Sequence, residues 1–223
     1  MKNIDKKLDT LIGKELKTKK HRDGDDGNYG RALEEALGVK ENNLSGPDIN
    51  EGTTKKELKT TNGKGKITNF SKEPKWNVNP KFKRMRDFFD YFCYTSEDDV
   101  DRLNLTLYGD RINGHGFSLK FEKGQLFVVH DKEGKICSWD YKTLKDKFKS
   151  KMSDTSILEH TSGVVTDHVN HKGISIAQID KMLKSGIIVI ETRLTMKPRG
   201  LKNRGTAFRV SLKQFSNMYA AEE

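Results

Sequence analysis

The apolar residues of this chain fall in short stretches, and the longest good run is Ile187-Ile188-Val189-Ile190. A membrane-spanning helix needs about 18 apolar residues in succession, so the sequence contains no candidate span. Short apolar runs separated by glycines and polar stretches favour many short helices and strands. We therefore expect an α/β (α+β) protein, and 223 residues are enough to bury a core in one domain or two lobes.

Basic residues exceed acidic ones, with 42 Lys and Arg against 32 Asp and Glu and a net charge of +10. Such an excess favours a polyanion as partner, most commonly nucleic acid. A solvated lysine-rich surface would give the same count, so the charge becomes informative only if arginines stand where bases could be read.

Two further features bear on the compartment. The N-terminus has no hydrophobic segment behind its charges, and no secretory signal is expected. Cys93 and Cys137 share no metal-ligand spacing and are too few for a disulfide framework. We expect two buried free thiols in a reducing cytoplasm, that of a bacterial or archaeal cell.

Helical spacing of apolar residues occurs twice near the N-terminus. Ile4, Leu8 and Leu16 lie on one stripe of a predicted helix over 4–17, and Leu33 and Leu37 lie on one of a helix over 29–38. After the second helix the pattern predicts a short strand around Asp48-Ile49, a turn over 50–54 and a strand over 56–60.

The strand over 56–60 carries Glu57-Leu58-Lys59. On a strand, residues i and i+2 leave the same face, so Glu57 and Lys59 would stand together while Leu58 enters the core. Asp48, nine residues upstream of Glu57, could complete a pair of carboxylates for a hard divalent cation. Such a cation activates a water for phosphodiester cleavage, and a nearby lysine can hold that water or offset charge.

An acidic residue followed two later by lysine is common in this composition. Glu15-Leu16-Lys17-Thr18 repeats Glu57-Leu58-Lys59-Thr60, but Leu16 continues a helical stripe, and on a helix i and i+2 diverge. From the residues alone, a nuclease site at 57–59 and a solvated charged strand both stay open.

A longer pattern resembles a known family. A Gly30-x-x-Leu33-Glu34-x-x-x-Gly38 helix is followed by Asp48 and by Glu57-Leu58-Lys59. With the segments at 69–74 and 204–210, this resembles the MvaI/BcnI type II restriction endonucleases, in the MutH-like branch of the PD-(D/E)xK nucleases. The resemblance runs from about 25 to 219. It implies a mixed central sheet flanked by helices, in two lobes around a DNA cleft.

The same resemblance implies catalytic roles for Glu34, Asp48, Glu57 and Lys59, with Asp48 and Glu57 as ligands of Mg²⁺, for which Mn²⁺ can substitute. The connection from Asp48 to Glu57 is longer than in the relatives, so Glu51 is an alternative ligand. We keep Glu57 because only it has a lysine two residues on.

DNA-binding positions are implied as well. Strands predicted over 187–195 and 206–212, joined by a turn over 197–205, would place arginines on a polar face that can enter a major groove, where Arg pairs with guanine and Glu accepts from cytosine. Phosphate contacts or plain exposure would explain any single Arg equally well. The implied DNA-binding residues are Asp26, Lys72, Glu191, Arg193, Lys202, Arg204 and Arg209.

The expected function is that of a type II restriction endonuclease, which hydrolyses duplex DNA with Mg²⁺ at a short, G·C-containing (pseudo)palindromic site. The expected partner is double-stranded DNA, with no membrane and no obligate protein partner, and a monomer is compatible with the pattern. The alternatives are a MutH-like mismatch-repair nickase and an inactive basic DNA-binding protein. We expect catalysis mainly in residues 1–110 and DNA recognition mainly in 111–223, with lobes that can interleave.

Overall fold

The computed structural model describes residues 4–17, 27–39, 46–51 and 54–219. Within these residues the chain forms six α-helices: α1 (Ile4–Asp9), α2 (Gly27–Leu37), α3 (Met85–Phe92), α4 (Tyr141–Met152), α5 (Ile176–Lys184) and α6 (Leu212–Phe215). The strands described are β1 (Ile49–Glu51), β2 (Thr54–Thr61), β3 (Lys66–Ser71), β4 (Tyr94–Thr95), β5 (Asp101–Leu107), β6 (Phe117–Glu122), β7 (Gln125–His130), β8 (Gly134–Asp140), β9 (Asp154–Thr161), β10 (Val164–Lys172), β11 (Ile188–Lys197) and β12 (Gly200–Ser211).

The chain divides into two compact units that interleave along the sequence. The first comprises Met1–Ile67, Lys147–Ser175 and Phe215–Glu223, and the second comprises Thr68–Asp146 and Ile176–Gln214. Both expected halves, 1–110 and 111–223, therefore contribute to both units. Which unit carries catalysis and which carries recognition stays a prediction.

The first unit is built on a mixed sheet in the order β1-β2-β9-β10. β1 and β2 are antiparallel, β2 and β9 are parallel, and β9 and β10 form an antiparallel hairpin. Glu57 is paired with Thr155 and Lys59 with Ile157 across the parallel ladder. The mixed α+β character predicted from the sequence is confirmed, and β2 contains the strand predicted over 56–60.

One hydrophobic cluster joins α1 and α2 to this sheet. Leu8, Leu33, Leu58 and Leu158 are among its buried members. Since Leu58 alternates with Glu57 and Lys59 along β2, the helices cover the face of the sheet that these two charged residues do not occupy. The helix predicted over 29–38 corresponds to α2, and Gly38, at φ +72°, follows its last residue.

The helix predicted over 4–17 is correct only as far as Asp9. Beyond it, Gly13 adopts φ +81° and its N–H donates to Val165 O at 2.9 Å, so the following residues run beside β10. Glu15 forms an isolated antiparallel bridge with Val164. Leu16 is buried as the stripe predicted, because an extended segment presents it to the same cluster.

The second unit contains two sheets. The larger has the order β3-β12-β11-β5-β4, and the smaller is the meander β6-β7-β8. The strands predicted over 187–195 and 206–212 correspond to β11 and β12. The turn predicted over 197–205 is wrong, because β12 already starts at Gly200, which is paired with Lys197 of β11. No helix among the described residues is long and apolar enough to cross a membrane.

Candidate active site and DNA-reading face

Glu57 and Lys59 are in direct contact on β2. Lys59 Nζ donates to Glu57 Oε1 at 2.5 Å, as the alternation of the strand predicts. Asp48, just before β1, accepts a hydrogen bond on Oδ2 from the N–H of Leu58 at 2.8 Å. This bond ties the loop before β1 to the middle of β2, so that two carboxylates and one ammonium group come together in the first unit.

The Glu57 side chain is only 1% exposed. Burial raises the pKa of its carboxyl group, the charge of Lys59 lowers it, and the negative charge of Asp48 raises it again. The net result is a pKa above the usual range, because two carboxylates and a poorly hydrated position disfavour the ionised form.

The carboxylates of Asp48 and Glu57 are arranged in a way that suits a divalent cation. Glu57 Oε2 is buried and has no hydrogen-bond partner among the residues that the structure describes. A buried carboxylate oxygen without a donor, beside a second carboxylate, is the arrangement that a hard divalent ion would complete. No group of three or more His, Cys, Asp or Glu side chains in the described segments is placed to hold a metal by itself. Asp48 and Glu57 would therefore be the side chains that hold it, with other oxygen ligands completing the shell.

The second unit presents a polar face across three strands. Arg193 on β11 is paired with Asn104 on β5, and Thr195 with Arg102. On the other side of β11, Thr195 is paired with Lys202 of β12. Paired residues leave a sheet on the same side, so these side chains share one face.

A β-bulge in β12 adds Arg209 to the same face. The register changes between the pairs Thr192–Thr206 and Leu194–Asn203, so that Arg204 and Gly205 together stand opposite Arg193. Gly205 adopts φ +85°, a left-handed conformation that glycine accepts without strain. In a regular strand Lys202 and Arg209 would point to opposite faces; the extra residue places both on the face of Arg193.

Two of these residues form an ion pair. Arg209 donates through an Nη atom to Glu191 Oε2 at 2.6 Å, and both side chains are largely buried. A carboxylate and a guanidinium side by side match the donor of cytosine and the acceptors of guanine in a major groove.

The polar face of β5, β11 and β12 also holds a cavity. Arg193, one of its lining residues, has an Nε–H that is buried without a hydrogen-bond partner in the described part of the chain. Five cationic side chains and two neutral ones line the cavity: Arg102, Arg193, Lys197, Lys202 and Arg204, with Asn104 and Thr195. Such a surface is suited to a polyanion.

The sequence comparison decides the family. The model of the MvaI/BcnI restriction endonuclease family matches residues 6–219, almost the whole chain. The chain belongs to the MvaI/BcnI restriction endonuclease family. The resemblance seen in the sequence is confirmed, and the protein is a type II restriction endonuclease, a site-specific deoxyribonuclease that acts on DNA.

Solved structures agree with membership of the MvaI/BcnI family at the level of the fold. The complex of restriction endonuclease MvaI with its cognate DNA substrate has a TM-score of 0.73 at 17% identity, covering 96% of this chain and 93% of that one. MvaI in the absence of DNA has a TM-score of 0.52 at 18% identity, covering 96% of each chain. The fold is of the PD-(D/E)xK type, as predicted. No curated protein sequence matches the chain.

The structure leaves the catalytic role of Glu34 as a prediction from the MvaI/BcnI pattern. Glu34 is half-buried on α2, which packs through Leu33 into the cluster of Leu58. It is not among the groups that act most strongly on Glu57. Glu51, the alternative ligand, is the last residue of β1, and its side chain lies outside the described part, as does the whole of Asp26.

Lys72 directly follows β3, the edge strand beside β12 in the five-stranded sheet. Its N–H donates to Thr206 O at 3.0 Å, next to the bulge, and its side chain is exposed. The sequence reasoning missed Arg102 and Asn104, which line the cavity from β5. Nothing in the sequence showed that β5 would pair with β11.

Proposed function

We propose that this endonuclease cuts both strands of duplex DNA in a Mg²⁺-dependent reaction at a short, G·C-containing (pseudo)palindromic site. The observation that carries the proposal is the buried Glu57 carboxylate, which contacts Lys59 on one oxygen and stands beside Asp48; its second oxygen has no hydrogen-bond partner in the described segments. Mn²⁺ should substitute for Mg²⁺, since both prefer oxygen ligands.

Each residue of the site has a separate role in this proposal. Asp48 and Glu57 would hold the divalent cation, which supplies an activated water and stabilises charge on the phosphate when bound. Lys59, held by Glu57, stands where its ammonium group can orient that water for in-line attack. The water oxygen bonds to phosphorus as the bond to the 3′ oxygen breaks. The water gives up a proton to solvent and the 3′ oxygen takes one from solvent, so that the products carry a 5′-phosphate and a 3′-hydroxyl. Glu34 would support this site from α2.

Recognition is assigned to the polar face of the second unit. Arg209 would donate to guanine and Glu191 would accept from cytosine, with Arg193 and Lys202 on neighbouring bases. Lys72 and Arg204 would contact the DNA alongside them, and Asp26 is kept as a DNA contact from the family pattern. We propose that a monomer without an obligate protein partner acts in the cytoplasm of a bacterial or archaeal cell, where its substrate is found.

The catalytic assignment is tested by digesting plasmid DNA with Mg²⁺ and sequencing the fragment ends. Lys59→Ala should lower the rate of cleavage at least about 10³-fold, because the transition state loses a positioned cation. Lys17→Ala is the matched control: it removes a lysine from an identical Glu-Leu-Lys sequence, where the side chain is exposed and pairs with Glu15 at 2.9 Å.

Unchanged cutting by Lys59→Ala would show that the site lies elsewhere. Nicking that needs added proteins would instead favour a mismatch-repair type of enzyme. Binding without cleavage under any divalent cation would favour an inactive DNA-binding protein.

The recognition assignment is tested by competition binding with cognate and scrambled duplexes. Arg209→Ala should weaken cognate binding by about 1–3 kcal/mol and scrambled binding much less. Lys145→Ala, a loss of one positive charge on α4, should weaken both duplexes equally. Equal losses from the two variants would reduce Arg209 to a phosphate contact.

A further inference from the structure

A second lysine reaches the catalytic carboxylate. Lys151, next to the last residue of α4, places Nζ 3.3 Å from Glu57 Oε1, and its side chain is only 17% exposed. The sequence pattern of α4, with Leu144, Phe148 and Met152 inward, predicts that its lysines point to solvent. For Lys151 that prediction is wrong, and no role has so far been given to it.

The architecture of the first unit fixes this position. Phe148 and Met152 are fully buried and anchor the last turn of α4, and the chain then enters β9 within two residues. Thr155, four residues after Lys151, is the residue paired with Glu57 across the parallel ladder. Backbone pairing therefore holds the end of α4, and Lys151 with it, beside Glu57. A lysine that served only as a surface residue would not need such a fixed position.

The two carboxylate oxygens of Glu57 differ in their contacts. Both ammonium groups, those of Lys59 and Lys151, approach Oε1, while Oε2 has no hydrogen-bond partner among the described residues. If the two lysines served only to neutralise a buried carboxylate, one on each oxygen would be the favourable arrangement. The observed one leaves Oε2 open and gathers positive charge on the other side.

A count of formal charges shows what the second lysine balances. The charged groups that act most strongly on Glu57 are Lys59, Asp48 and Lys151. With Glu57 ionised these four groups are neutral together, so a divalent cation gives them two positive charges. A phosphodiester brings one negative charge, and its transition state brings two once the attacking water has given up its proton to solvent. These four groups, the cation and the transition state are thus neutral together, and without Lys151 they would carry an uncompensated negative charge at that moment.

We propose that Lys151 is a second catalytic ammonium group, which contacts a non-bridging oxygen of the scissile phosphate once DNA and the divalent cation are bound. The inference rests on the proposed Mg²⁺-dependent hydrolysis. It assigns to Lys151 an interaction that strengthens as charge develops on the phosphate, so its loss acts on the rate rather than on binding.

The experiment compares Lys151→Met with Lys149→Met, an exposed lysine two residues away on the same helix. Single-turnover cleavage at saturating Mg²⁺ should fall about 10²–10³-fold for Lys151→Met and stay near the wild-type rate for Lys149→Met. Lys151→Gln provides a second variant if the methionine variant does not fold, which thermal unfolding will show.

Calorimetric titration with Ca²⁺ provides the readout that is independent of cleavage. Loss of a cation beside Glu57 should leave Ca²⁺ affinity unchanged or raise it. A slower variant with weaker Ca²⁺ binding would show that Lys151 only positions Glu57, and an unchanged rate would show that it is not used; either result overturns the inference. Wild-type protein that does not cut with Mg²⁺ would overturn the proposed function, and this inference with it.

Discussion

Lys56 shows that a residue can be buried where its local sequence predicts exposure. Its side chain is 2% exposed on the opposite face of β2 from Glu57, and Nζ donates to Asp5 Oδ1 at 2.6 Å and to Ser156 Oγ and Asn170 Oδ1 at 3.1 Å. A lysine in a polar strand is normally expected at the surface. Its partners come from three separate segments of the chain, so the sequence could not predict its burial.

Removing this ammonium group should destabilise the fold. We expect Lys56→Met to lower the free energy of unfolding by about 3 kcal/mol, since Ser156, Asn170 and the carboxylates lose their shared partner. Urea unfolding followed by circular dichroism measures the change. Lys55→Met, an exposed neighbour on β2, is the control and should change it by no more than about 0.5 kcal/mol.

The same contact predicts a pH dependence. Burial raises the pKa of Asp5, but the hydrogen bond and charge of Lys56 outweigh this and leave it below 3.8. A carboxyl group with a lowered pKa in the folded state stabilises that state above its unfolded pKa and stops doing so as the pH falls through the folded pKa. Wild-type protein should therefore lose more stability than Lys56→Met between about pH 5 and about pH 3; parallel losses in the two proteins would contradict this.

At the scale of elements, the local sequence pattern predicted which side chains share a face of a strand or helix. It did not predict features that depend on pairing between distant segments. The contact of Glu57 with Lys59 follows from the period of a strand, and α2 and α4 follow from helical spacing. The end of α1 at Asp9 did not follow from the sequence pattern, because Gly13 and its hydrogen bond to Val165 bring the chain alongside β10. The strand over 154–161 has four successive buried residues and no alternation to mark it.

The bulge of β12 is the element on which the reading face depends. Gly205→Ala should cost about 1–2 kcal/mol of stability, because φ is +85° and the new Cβ would lie 3.1 Å from Ser71 Oγ. Gly124→Ala is the control, since Gly124 has φ +73°, nothing within 4 Å of the new Cβ and a place in the β6–β7 hairpin. Competition binding should show lost discrimination between cognate and scrambled DNA only for Gly205→Ala. Equal discrimination by both variants would mean that the bulge does not set recognition.

For the molecule as a whole, the proposed monomer with a single active site predicts the order of cleavage. A monomer that holds a single active site should cut the two strands of a site in separate steps. Supercoiled plasmid should therefore pass through an open-circular intermediate before it becomes linear, and the course can be followed by gel electrophoresis under excess enzyme. Direct conversion to linear DNA at all times would indicate two active sites acting together.

The net charge of +10 also acts at this scale, because it favours binding to any DNA, while the proposed selection of a target rests on a few side chains on β5, β11 and β12. The face of the sheet on which those side chains lie depends on the number of residues in β12 as well as on which residues they are. One residue more or less between Asn203 and Thr206 would exchange the inward and outward sets along the rest of β12. Under the proposed recognition, a single-codon insertion or deletion would thus change which side chains of β12 face the double helix without changing the identity of any proposed contact residue.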